Sequence, residues 1–160
     1  MPFALAWLAE ANLIAGRRDI ARQLAERALD RFRQHKERGN EAWALRLHGE
    51  IAAAVEPPEV EQVESYYRQA LALAEELGMR PFMAHCHLGL GTLYQKIGRQ
   101  EPALTELTTA AELYRATETT FWLERAKLEL LKVGDGPGSG CRTAGYRCVL
   151  SRSVNPDNNG

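Results

Sequence analysis

The chain has 160 residues, 45% of them hydrophobic, 26% charged and 8% aromatic, with 20 basic against 21 acidic side chains and a net charge of −1. That is enough chain to bury a core in one domain, and it excludes a disordered chain, a basic nucleic-acid coat and a disulfide-dense secreted mini-domain. The averages hide a seam: residues 1–131 carry a net charge of −3, whereas the glutamate-free remainder carries +2 and is rich in glycine.

The apolar opening 1–9 lacks a basic n-region, meets Glu10 and runs on into helix-forming sequence, so it does not read as a signal peptide. No window reaches about 18 uninterrupted apolar residues, so no membrane partner is expected. Three cysteines, an odd number with only Cys86 in the body, favour a reduced cytoplasmic setting.

From there the body reads as helix after helix, with apolar residues recurring at three- and four-residue spacing. The first predicted helix covers 3–15 and stops at Gly16-Arg17-Arg18; the second covers 19–37, with Asp19 as its expected cap. Asn40 is the expected cap of the third, 41–55, which Pro57-Pro58 ends. The fourth covers 59–77 and the fifth 82–97, separated by Gly78-Met79-Arg80-Pro81. The sixth covers 101–116 after Gly98, and the seventh covers 120–132 after Thr119. Pro58 and Pro102 suit first-turn positions, where no amide hydrogen is needed. Such short connections make consecutive helices antiparallel hairpins.

The hairpins repeat. Ala28-Leu29, Ala70-Leu71 and Ala110-Ala111 stand at equivalent points of the second, fourth and sixth helices, 42 and 40 residues apart. A helix pair recurring about every 40 residues is the signature of an α-solenoid. The third unit reads His87-x-x-Leu90-Gly91-x-x-Tyr94, then Gly98, then Ala103-x-x-x-Leu107-x-x-Ala110. That resembles the tetratricopeptide repeat (TPR) pattern, with His87 where a large residue such as tryptophan is usual. Leu8-Ala9, Gly16, Ala21 and Ala28 match it in the first unit, and Gly49, Tyr67 and Ala70 in the second, which has about two extra residues in its turn at 53–59. The expected fold is therefore all-α: three TPR-like hairpins (3–39, 40–80 and 81–118) and a capping helix (119–131) form a repeat domain over 1–131. The Gly-rich, irregular remainder 132–160 continues no repeat, and two readings of it stand open: a disordered tail, or a stretch whose reading frame departs from the ancestral one.

The units exceed the usual 34 residues. In this they resemble the extended C-terminal TPR arrays of large bacterial signalling proteins that carry a nucleotidyl-cyclase or NTPase domain upstream. The run from Arg80 to Gly91 and the opening Phe121-Trp122-Leu123-Glu124 carry that likeness. No cyclase or NTPase motif stands in this chain, so the resemblance implies provenance and not activity. The first helix starts without a polar cap, which terminal repeats need; the expectation is that the chain is the C-terminal piece of a longer array, or of a truncated gene.

Candidate chemistry is sparse. His85-Cys86-His87 has metal-ligand residue types, but on a helix His85 and His87 point about 160° apart and cannot grip one ion. The expected arrangement has His87 packed inside the hairpin and His85 facing outward. Cys141 and Cys148 lack a second close-spaced pair. The glycine run 134–140 fits neither G-x-x-x-x-G-K-[ST] nor G-x-G-x-x-G and reads as a linker. The basic stretch 17–36 interleaves acidic residues and lacks an aromatic stripe, so charge pairing between neighbouring units is preferred over a nucleic-acid partner. No acid–base pair or Ser-His-Asp set can be assembled. No metal, no cofactor and no enzymatic activity are expected.

Helical phase in the third unit separates packing positions from an opposite face holding His85, Leu88, Thr92, Gln95 and Lys96. Trp43, Arg46 and Glu50 hold the matching places in the second unit. The TPR resemblance implies that these residues line a concave surface gripping a protein or peptide partner. Trp43 beside Arg46 has the composition of a binding hot spot; its alternative role is packing between units. A lysine-lined clamp for acidic C-termini is disfavoured, since Ala6, Glu10, Arg46, Glu50, Leu88 and Thr92 supply one cation and two carboxylates. The expected function is a non-catalytic interaction scaffold, with self-association through its exposed ends as a further option. The alternative is a ligand-sensing regulatory module of a signalling ATPase, cyclase or transcriptional regulator.

Overall fold

The computed structural model describes residues 2–134, which form seven helices: α1 (Pro2–Ile14), α2 (Arg18–Gln34), α3 (Arg38–Ala53), α4 (Val60–Glu76), α5 (Arg80–Lys96), α6 (Gln100–Ala116) and α7 (Thr120–Gly134). They stack as antiparallel hairpins, α1–α2, α3–α4 and α5–α6, with α7 laid on the last. α7 runs to Gly134 and buries Val133, past the expected end of the cap at 131. The glycine run, Cys141, Cys148 and the expected tail otherwise lie outside the described residues. Among the described residues no helix is long and apolar enough to cross a membrane.

Five of the six connections have three residues and close in one way. A residue with positive φ follows the helix: Gly16 (77°), Lys36 (55°), Gly78 (68°), Gly98 (76°) and Glu118 (54°). The next amide then reaches back five residues, as from Arg17 to the Asn12 carbonyl at 2.8 Å and from Arg99 to that of Tyr94 at 2.8 Å. This is the Schellman closure, in which a left-handed residue satisfies carbonyls the helix leaves open. The α3–α4 connection is longer, and the two extra residues of the second unit fall there, around Pro57-Pro58.

The expected caps differ from what forms. Arg17 and Glu37, not Asp19 and Asn40, stand at the N-caps of α2 and α3, and neither makes a side-chain cap. With three-residue turns the N-cap of one helix is already bonded into the C-terminal closure of the previous one. Asp19 falls in the first turn of α2, where a negative charge favours the helix dipole. The Asn40 amide donates instead to the Glu37 carboxylate at 2.7 Å.

Small residues bring the helices together. Ala21, Ala25 and Ala28 on α2, Ala70 and Ala74 on α4, and Ala103 and Ala110 on α6 are fully buried. Gly91 admits Leu107, whose side chain a Cβ at that position would meet at 2.5 Å. Gly49 and Gly89 clamp Tyr67 from two helices, since a Cβ on either would run into its ring or hydroxyl. Tyr67 thereby locks α4 between α3 and α5.

The odd-numbered helices also approach one another, α1 with α3, α3 with α5 and α5 with α7, whereas no comparable approach joins α2 to α4 or α4 to α6. Closer spacing on one side curves the stack, so the odd-numbered helices line its inner face.

Candidate inner-face site

Trp43 sits where the N-terminal halves of α1, α3 and α5 come together. It is half-buried and packs on both hydrophobic clusters of the core. It also lines an open pocket of about 460 Å³ together with Phe3, Trp7, Glu10, Met79 and Phe82. Trp43 thus both packs between units and lines the pocket.

One turn on, Arg46 forms an ion pair with Glu50 four residues along the same helix. Its guanidinium lies 5.9 Å from the centre of the Phe82 ring, a cation–π contact that leans α5 on α3. Burial pushes the Glu50 carboxyl above the usual carboxylate range; Arg46 opposes that shift and the charge of Glu10 adds to it.

His85 was expected to face outward, and it does not. Its Nδ1 lies 2.8 Å from the Tyr114 hydroxyl of α6, and its ring meets Trp122 of α7 edge to face at 4.7 Å. Burial, and secondarily the nearby Arg46 charge, lower the imidazole pKa, while burial raises that of Tyr114. The phase of α5 alone cannot anticipate this cover, because Trp122 arrives from a different helix. His87 points into the α5–α6 hairpin, with Nδ1 2.6 Å from Glu106. The two histidines diverge, and among the described residues no group of three or more His, Cys, Asp or Glu is placed to hold a metal. Cys86 is buried and its thiol is pushed up to about 12, leaving it protonated at neutral pH.

The rest of the α5 face stays apart from the pocket. Leu88 packs on the core, and the Thr92 hydroxyl donates to the Leu88 carbonyl at 2.8 Å. Gln95 is half-buried, and Lys96 reaches Glu56 at 3.3 Å across the α3–α4 connection. The basic stretch of α2 is partly neutralised by neighbours, Arg22 by Glu59 at 3.3 Å and Arg33 by Glu41 at 2.9 Å.

Sequence reasoning missed Phe3, Trp7, Met79 and Phe82 as lining residues. A signal for Phe3 was present: Phe3, Trp43 and His85 are 40 and 42 residues apart, the period of the repeat itself. Extending the register across units, rather than reading one helix at a time, places all three on the inner face.

No protein-family model matches the chain, and no curated protein matches it. Among solved structures it is similar to the crystal structure of the apo form of RapI, with a TM-score of 0.78 and 16% sequence identity over 95% of this chain and 56% of that one. The chain thus spans little more than half the length of RapI. At this identity the likeness shows the fold, a stack of helical hairpins consistent with TPR-like repeats.

Proposed function

We propose that the chain is a non-catalytic protein-interaction module that holds a segment of a partner protein against its inner face. The observation that carries this reading is the open aromatic pocket where Phe3 and Trp7 of α1, Trp43 of α3 and Phe82 of α5 converge. Large, rigid aromatic side chains beside an arginine are the residues that dominate binding energy at protein interfaces. The fold supports it, since a stack of repeats presents a continuous inner surface without needing a catalytic cleft. The buried, protonated Cys86 thiol and the two structurally engaged histidines favour binding over catalysis. A bacterial, cytoplasmic setting and a kinship with signalling-protein arrays belong to the same proposal.

The test is a partner-identification experiment followed by direct binding with the purified partner. Trp7 is 71% exposed, so Trp7→Ala removes a pocket wall without touching the core. It is expected to weaken binding at least fivefold with helicity unchanged; Trp43→Ala should weaken it further but also cost stability. A partner bound equally well by both variants would sink the proposal.

The regulatory alternative has one observation in its favour. A pocket of about 460 Å³ falls within the range of small-molecule sites. Thermal stabilisation by a metabolite, without any protein partner, would select it.

A further inference from the structure

The inner-face pocket holds a charge that the described residues leave unpaired. Glu10 lines the pocket and is half-buried, and it takes part in no ion pair or hydrogen bond among the described residues. Its charge is felt at Glu50, which stands 40 residues on at the same place in the repeat. The nearby cation is already engaged, because Arg46 is paired with Glu50 and stacked on Phe82. No lysine or arginine lines the pocket. The side chains lining the pocket with Glu10 are mainly aromatic, Phe3, Trp7, Trp43 and Phe82, with Met79 and Asn40 beside them.

Aromatic faces carry the negative end of the ring quadrupole and attract cations, tryptophan most strongly. A carboxylate within such a box adds a full charge of the same sign. An acidic ligand would meet Glu10 and four aromatic side chains, and among the described residues no lysine or arginine lines the pocket to answer it. A basic side chain would satisfy the carboxylate and the rings together, while its aliphatic stem lay on apolar surface.

We propose, resting on the reading of this face as a peptide groove, that its occupant is a peptide segment presenting an arginine or lysine between bulky apolar residues. The cation enters the box formed by Trp7, Trp43 and Glu10, and its apolar neighbours lie on Phe3, Met79 and Phe82. Recognition is then by charge complementarity at the centre and apolar contact around it.

The test uses three capped hexapeptides, alternating leucine with arginine, glutamine or glutamate, titrated against the full chain by calorimetry and tryptophan fluorescence. The arginine peptide should bind at least tenfold more tightly than either of the others, with an advantage that shrinks as salt rises. Glu10→Gln should remove most of that preference, and Trp7→Ala should weaken the arginine peptide while circular dichroism stays unchanged. Equal binding of the glutamine or glutamate peptide, lost in Trp7→Ala, would overturn the charge preference and leave the groove reading standing. Binding of the arginine peptide unaltered by both variants would place it elsewhere and overturn the inference. Failure of all three peptides to bind also overturns it, while the groove reading is still decided by the identified partner and its dependence on Trp7.

Discussion

His48 is the odd residue of its register. Forty residues earlier stands Leu8 and forty-two later Leu90, yet His48 is 3% exposed, as deep as Leu90. It stacks on Tyr66 at 4.9 Å, and its Nε2 has no hydrogen-bond partner. Burial lowers its pKa, helped by the charges of Arg22 and Arg33 and opposed by the Ala25 backbone and Glu26. A histidine whose folded pKa lies below its unfolded value of about 6.5 stabilises the fold above that pH. That contribution is lost as pH falls from about 6.5 through the folded pKa, because the unfolded chain takes up the proton first. His85 is shifted the same way and has the same sign. The chain should therefore lose thermal stability between pH 7.5 and pH 5. His48→Leu, which restores the residue its register favours, should flatten part of that slope and add about 1 kcal/mol at neutral pH by removing an unsatisfied buried nitrogen. Melting curves of both proteins at the two pH values check this; parallel pH slopes would show that His48 is not the sensor.

Elements in this fold are set by their turns as much as by their faces. The same closure recurs at five connections, but glycine fills its left-handed position at three and Lys36 and Glu118 at the other two. A side chain in that conformation costs roughly 1–2 kcal/mol, against roughly 0.5–1 kcal/mol for the extra freedom glycine has when unfolded. Glu118→Gly and Lys36→Gly should thus raise stability by about 0.5 kcal/mol each. Gly98→Ala, at φ 76°, should lower it by about 1 kcal/mol. Denaturant titrations of the three variants measure this directly, and a loss of stability in both glycine variants would refute it. The turns also explain what could be read in advance. Helix number and order follow from apolar spacing and from Gly16, Gly78 and Gly98, which are local signals. Asp19 and Asn40 misled because a capping rule for an isolated helix does not know that the preceding helix ends three residues earlier. The covered position of His85 and the lining roles of Trp7 and Phe82 were hidden for a related reason. Each depends on a neighbouring odd-numbered helix, and one helical wheel contains no information about its neighbours.

At the scale of the whole stack, the described residues are close to one-dimensional, because each helix rests mainly on the one before it and the one after it. Internal helices are covered on two sides and terminal ones on one. The register makes the contrast quantitative: Leu8 of α1 is 55% exposed where its counterpart Leu90 of α5 is 2% exposed, and Ile14 of α1 is 83% exposed. α7 is better covered, burying Leu123, Ala126, Leu130 and Val133 on α6 and closing Trp122 over His85. Local opening free energy follows buried apolar contact, so it should rise from α1 to the centre and fall only modestly at α7. Hydrogen exchange read by mass spectrometry should show α1 exchanging first, by at least an order of magnitude relative to α3 and α5, with α7 intermediate. The pocket of Trp43 draws Phe3, Trp7 and Glu10 from that least protected helix. A ligand seated there must order α1 as it binds, so it should slow exchange in α1 more than anywhere else. Equal protection across all seven helices would refute the one-dimensional picture. Ligand-induced slowing centred on α7 would refute the placing of the site.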